Sequence, residues 1–169
     1  MRKPKVLLLT PPFYRLMGSC HNWADLGLNY LASVLDENGY EVKVYNADYV
    51  ENGKEISLRE LFDSYEKFRA ILDNEGHEIW KEIMKRIKDY NPDIVGIGIT
   101  FTSTLRGAKI IAKKIKEFNK NIEIVVGGSY ATLVPSTIKY RHFDYLIRCE
   151  GEYPFLNFVK GDPKESIDN

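Results

Sequence analysis

Hydroxyl side chains and glycines crowd four short stretches of this chain, and their types set the chemistry available. Thr100, Thr102, Ser103 and Thr104 follow one apolar run, and Gly127-Gly128-Ser129 with Ala131-Thr132 follow another. Glycines at a strand end let a ligand approach the backbone closely, and hydroxyls with free amides bind carboxamides, phosphates or ribose without adding charge. Ordinary turn chemistry explains the same residues, glycine supplying φ > 0 and Ser/Thr capping helices. Glu150 and Glu152 bracket Gly151 at a third strand end. They read either as acids favoured by the dipole of a following helix or as contacts to a polar ligand. A fourth stretch opens with Pro11-Pro12 and includes His21 and Trp23. An imidazole is a suitable ligand for a transition metal, although a lone loop histidine is more often solvated. Trp23 could cover a flat ligand or pack against the next helix.

Several chemistries are excluded. The chain has no GxGxxG after its first strand, which ends in Thr10-Pro11-Pro12, and the Gly96/Gly98 pair lies inside a strand with Phe101 where a third glycine belongs. There is no Walker A sequence, no acidic pair after the first strand for Mg²⁺, and no Ser-rich phosphate cradle. Cys20 and Cys149 are the only cysteines and form no CxxC, which gives a structural zinc site little support. Lys plus Arg (24) equals Asp plus Glu (24), against a general nucleic-acid binder. No apolar run reaches membrane-spanning length, and the N-terminus lacks a signal-peptide core, so the expected setting is cytoplasmic.

The elements that must position these residues follow from periodicity. Lys5 to Thr10 and Ile94 to Ile99 are apolar on both faces and predict buried parallel strands. Glu41 to Tyr45 alternates and predicts a strand near an edge. Ile122 to Val126 and Tyr145 to Arg148 complete five strands. Asp25 is the expected N-cap of a helix over Leu26 to Glu37, stopped by Asn38-Gly39. Leu58, Leu61, Phe62, Tyr65, Phe68 and Leu72 share one helical face, and Ile79, Trp80, Ile83, Met84, Ile87 and Tyr90 share another. Leu105 to Phe118, Pro135 to Tyr140 and residues 153 to 160 predict further helices. Five β-then-α units imply an α/β fold: an open five-stranded parallel sheet of order 2-1-3-4-5, flavodoxin-like, with helices on both faces. Ligands of such sheets sit beyond the strand C-termini. The expected domain is 1–160, with 161–169 a polar linker.

These motifs, in this order, resemble the N-terminal cobalamin-binding domain of B12-dependent radical SAM enzymes. The resemblance rests on Pro92-Asp93-Ile94-Val95-Gly96-Ile97, on Val125 to Pro135, on Asp144 to Glu152, and on Pro11-Pro12 with Leu26 to Ala32 and Gly39-Tyr40-Glu41-Val42. It implies a Rossmann-like fold holding cobalamin base-off at the C-terminal strand edge. The dimethylbenzimidazole tail would enter between the first, third and fourth strands beside Gly127 and Gly128. Thr102 and Ser103 would touch the nucleotide tail or corrin amides, and Pro11, Pro12 and the loop to Trp23 would lie near the lower corrin face. The remaining site residues implied are Thr100, Ser129, Ala131, Thr132, Glu150 and Gly151. The DxHxxG signature of methionine-synthase-type domains is absent, so a histidine ligand supplied by it is excluded. In the related S-x-L motif, Gly98 and Thr100 stand where Ser and Leu would fall.

The resemblance further implies a radical SAM domain, in cis or as a separate subunit, carrying S-adenosylmethionine and a [4Fe–4S] cluster. Methyl transfer, cyclisation or ring rearrangement would be the chemistry. With two cysteines 129 positions apart this chain lacks the CxxxCxxC ligands and is not that catalyst by itself. Two other readings stay open: a domain of the same fold binding a nucleotide, nucleotide-sugar or flavin, and a non-catalytic docking module.

Overall fold

A computed structural model describes residues 2–20 and 24–162. The strands are β1 (Val6–Thr10), β2 (Val42–Asn46), β3 (Ile94–Gly98), β4 (Glu123–Gly127) and β5 (Tyr145–Leu146). They form one sheet of order β2-β1-β3-β4-β5 with every neighbouring pair parallel, as the sequence predicts. Every residue of β3 is buried, because strands flank it and helices cover both its faces. β2 has no buried residue, as suits an edge strand, although its exposure does not alternate as its sequence does; the other edge, β5, is only two residues long.

The helices are α1 (Leu26–Glu37), α2 (Leu58–Asp63), α3 (Tyr65–Asp73), α4 (Glu78–Tyr90), α5 (Thr102–Phe118), α6 (Ser129–Leu133), α7 (Pro135–Ile138) and α8 (Glu152–Lys160). The stripe over 58–72 is broken at Ser64, which ends α2 and precedes α3. Helix α3 buries Phe68, Ile71 and Leu72, whereas α2 has no fully buried residue and only Leu61 packs against the core, so the turn at Ser64 brings mainly the second half of the stripe inward. Asn91 closes α4 with φ 51°, a left-handed cap that asparagine tolerates, and Pro92 prevents continuation.

Alternation along the strands sorts the core into two layers. Leu7, Leu9, Val95, Ile97, Ile124 and Val126 face α3, α4 and α5. Val6, Leu8, Ile94, Val125 and Ile147 face α1 and α8, which contribute Leu28, Leu35, Phe155, Leu156 and Val159. In this second layer β3 presents Ile94 and then two positions without side chains, Gly96 and Gly98. No helix among the described residues is long and apolar enough to cross a membrane.

Candidate functional site

Three features open a cleft at the C-terminal end of the sheet, between β3 and β4 on one side and α1 and α8 on the other. The first is the absence of side chains on β3. A Cβ on Gly98 would lie 3.4–3.6 Å from Leu28 Cδ2, Cδ1 and Cγ of α1, so the glycine leaves room for about one side chain's width. A Cβ on Gly96 would come within 2.7 Å of Leu8 Cδ2 and 3.3 Å of Phe155 Cζ, so those two side chains close the floor directly over the glycine. The second is the turn after β4. Gly128 adopts φ +106°, and a Cβ there would meet the Ile99 carbonyl oxygen at 2.8 Å, so only glycine lets the two loops run this close. The third is Gly151, which brings the start of α8 beside Leu31 and Ile147.

The resulting cavity has a volume of about 270 Å³. Its floor is Leu8, Leu28, Val125, Ile147 and Phe155, all buried. Its mouth carries Asp25, Thr100, Ser129, Cys149, Glu150 and Glu152, half-buried or exposed.

Hydrogen bonds hold the mouth in shape. Asp25 caps α1 by accepting from the Leu28 N–H at 3.2 Å and also accepts from the Thr10 hydroxyl at 3.0 Å, tying α1 to the end of β1. Ser129 Oγ donates to the Thr100 carbonyl at 3.0 Å, joining the β3 and β4 loops. The Cys149 N–H donates to Thr132 Oγ1 at 2.9 Å and fixes a residue with φ 60° at the exit of β5. Further along the rim, the loop after β1 is pinned by Asp48, 5% exposed, whose carboxylate accepts the N–H groups of Phe13, Tyr14 and Arg15 at 2.8, 3.2 and 2.8 Å. Arg15 pairs in turn with Glu82 of α4.

Of the residues singled out in the sequence, Thr100, Gly127, Gly128, Ser129, Glu150 and Gly151 line this cleft together. The others stand elsewhere. Thr102 and Ser103 belong to the first turn of α5 rather than to a loop, because Phe101 is the helix N-cap. Ala131 is fully buried in the opposite layer of the core, and Thr132 acts on the rim through Cys149. Pro11 and Pro12 are buried beside Gly107 of α5, whose added Cβ would lie 3.5 Å from Pro12 O. His21 and Trp23 lie outside the described residues. The lining residues that the sequence reading did not single out are led by Gly98, Leu28 and Phe155. Their signal was present: the GxG inside β3, dismissed as a failed dinucleotide fingerprint, is a pair of same-face strand positions with no side chain. Among the described residues no three His, Cys, Asp or Glu side chains are grouped to hold a metal ion, and both cysteines are free thiols.

Comparison with known proteins agrees with this architecture. Residues 19–159 match the family model described as the B12 binding domain. An uncharacterised methyltransferase of Pyrococcus horikoshii is 31% identical over 94% of this chain and 29% of its own length. Cytidylyl-2-hydroxyethylphosphonate methyltransferase of Streptomyces wedmorensis is 28% identical over 94% of this chain and 28% of its own. The chain therefore spans less than a third of either relative. The cobalamin-dependent S-adenosylmethionine radical enzyme OxsB, in a structure with aqua-cobalamin and S-adenosylmethionine bound, shares the fold with a TM-score of 0.63 and 18% identity over 98% of this chain and 19% of that one. With a parallel 2-1-3-4-5 sheet, a glycine-lined cleft at its C-terminal edge and a family match over most of its length, this chain belongs to the B12-binding domain family.

Proposed function

We propose that the chain binds cobalamin base-off, takes its nucleotide arm into the cleft between β3, β4, α1 and α8, and presents the corrin ring at the C-terminal strand edge to a radical SAM domain. The observation that carries this reading is the cleft itself. Gly98, Gly127 and Gly128 leave a narrow slot with a polar mouth, floored where Leu8 and Phe155 cover Gly96, about 270 Å³ in volume. A slot of that size suits one arm of a large ligand, since sites for whole drug-sized molecules run from about 300 to 1,000 Å³. The chain's residues divide the work. Leu8, Leu28 and Phe155 exclude water from the arm, Gly128 lets the backbone meet it, and Ser129, Thr100 and Glu150 face the polar groups above. Glu150 and Glu152 accept hydrogen bonds and so suit carboxamide or ribose donors.

When bound, the corrinoid supplies a cobalt-carried group for methyl transfer or related radical chemistry. S-adenosylmethionine and the [4Fe–4S] cluster belong, in this reading, to a further domain in cis or to a separate subunit. The two full-length relatives, both named as methyltransferases, support methyl transfer as the reaction of the whole assembly. The cobalamin-binding domain proper is 1–160 in this reading. Titration of the purified chain with hydroxocobalamin tests the binding step. A corrin spectrum retained through gel filtration, with its bands shifted from the free base-on form, is expected. Complete loss of the corrin on gel filtration would overturn the proposal.

A further inference from the structure

We infer that the cleft selects among corrinoids by the base at the end of their nucleotide arm, favouring an apolar methylated benzimidazole over a purine. This rests on the corrinoid reading above and names the part of the ligand that the floor discriminates.

The lining divides sharply by depth. Leu8, Leu28, Val125, Ile147 and Phe155 form the buried floor and carry no polar side-chain atom. The polar side chains of the lining all belong to the mouth, and Asp25 there already accepts from Leu28 N–H and Thr10 Oγ1. The floor's backbone is committed as well, because β1, β3 and β4 pair with one another along their length. A flat base that descends past Gly98 to Leu8 and Phe155 meets carbon on its faces and edges. A benzimidazole with two methyl groups fills such a floor and leaves unmet only the one ring nitrogen that the base-off form frees from cobalt. An adenine would bury, beyond that nitrogen, an amino group and two further ring nitrogens with no side-chain partner on the floor among the described residues. Burying polar groups without a hydrogen bond in a protein weakens an interaction by about ten- to hundredfold. The preference is moderate rather than absolute, as apolar pockets reject near-isosteres only to about that extent.

One residue can be used to reverse the preference. Val125, 2% exposed on β4, has its side chain on the cleft face. Val125→Thr keeps the shape and adds a hydroxyl able to donate or accept. The test measures dissociation constants of the chain for cobalamin, for the corrinoid bearing adenine in place of dimethylbenzimidazole, and for cobinamide, which has no base. The expected order is cobalamin tightest and the adenine form about ten- to hundredfold weaker, with that ratio narrowed several-fold in V125T. Equal affinity for the two complete corrinoids would overturn the selectivity while leaving the binding function intact. Cobinamide binding as tightly as cobalamin would place the arm outside the cleft and overturn it too. Failure of all three ligands to bind would remove the corrinoid reading itself. The wild-type comparison decides the matter even if V125T folds poorly.

Discussion

Substituting Gly98 separates the cleft from the fold that builds it. Its Cβ position lies 3.4–3.6 Å from Leu28, ordinary contact distance, so Gly98→Ala costs no clash. The larger Gly98→Leu has only the cleft to enter, since Gly98 is itself paired with Gly127 on β4 and its Cβ already touches Leu28. Filling an apolar cleft with a leucine removes that side chain from water, stabilising by about 1.5–3 kcal/mol. Replacing a strand glycine adds a smaller gain of about 0.5–1 kcal/mol. Pushing Leu28 aside costs about 1–3 kcal/mol of overpacking, which offsets this gain, so the folded protein should melt close to wild type. A nucleotide arm entering the cleft must expel that leucine, so cobalamin affinity should fall by at least about 1.5–3 kcal/mol, roughly ten- to hundredfold.

Gly96→Ala provides the contrast. Its Cβ would sit 2.7 Å from Leu8 Cδ2, tighter than real contacts, and overpacking of that kind costs about 1–3 kcal/mol of stability. The two glycines, two residues apart on one face, thus predict opposite signatures: G98L loses ligand and keeps stability, G96A loses stability first. Absorbance titration with hydroxocobalamin and thermal melts of each variant read both quantities. A folded G98L protein that binds cobalamin as tightly as wild type would refute the placement of the arm between β3 and α1.

Other consequences follow from residues away from the cleft floor. Asp48→Ala leaves the N–H groups of Phe13, Tyr14 and Arg15 without their acceptor. The loss should be about 2–4 kcal/mol, or a melting temperature lower by about 5–15 °C, with Asp48→Asn less affected; a drop below about 2 °C would contradict it. Among the described residues Tyr90 Oη is buried without a hydrogen-bond partner while Lys5 and Lys43 lie over the ring, and burial followed by the charge of Glu41 pushes its pKa up to about 12. A raised folded-state pKa contributes stability that is full below pH 10 and is lost as pH rises towards 12. Tyr90→Phe should keep or raise the melting temperature at pH 7 and flatten the alkaline decline; a lower melting temperature at pH 7 would show an unmet partner for the hydroxyl. Cys149 is exposed at the cleft mouth, so bound cobalamin should slow its alkylation several-fold while Cys20 reacts as before, as peptide mass spectrometry can resolve. Equal protection of both thiols would argue for a general change in the fold instead. Glu82 is held below the usual carboxylate range, first by its hydrogen bond from Arg15, so this pair should add stability above the ordinary glutamate pKa and lose it as the pH falls through the depressed value. Glu82→Gln should flatten that acid limb of a pH–stability curve, and an unchanged limb would show that the pair is screened.

Much of the fold is legible in local pattern. Val6 to Leu9 and Ile94 to Ile97 are uninterrupted apolar runs, which suit only strands covered on both faces, so their central places in the sheet follow from composition alone. Asp25 before an apolar 3.6-residue repeat and Asn38-Gly39 after it mark both ends of α1, because capping is a property of neighbouring residues. The glycines after β4 and the Glu150-Gly151 turn announce the polar mouth for the same reason. Ser64 is different: nothing local distinguishes the half of the 58–72 stripe that packs from the half that does not, and only contact with the loop after β1 decides it.

The site shows the same division. What this sequence determined by itself is the order of strands and caps, because those depend on residues a few positions apart. Which side of β3 faces α1, and hence that Gly98 opens a slot while Pro11, Pro12 and Ala131 pack on the other side, depends on register between distant segments such as β1 and β3, where Val6 pairs with Ile94. A missing side chain has no pattern of its own; it becomes a binding cleft only when tertiary packing sets Leu28 and Phe155 opposite it without filling the gap.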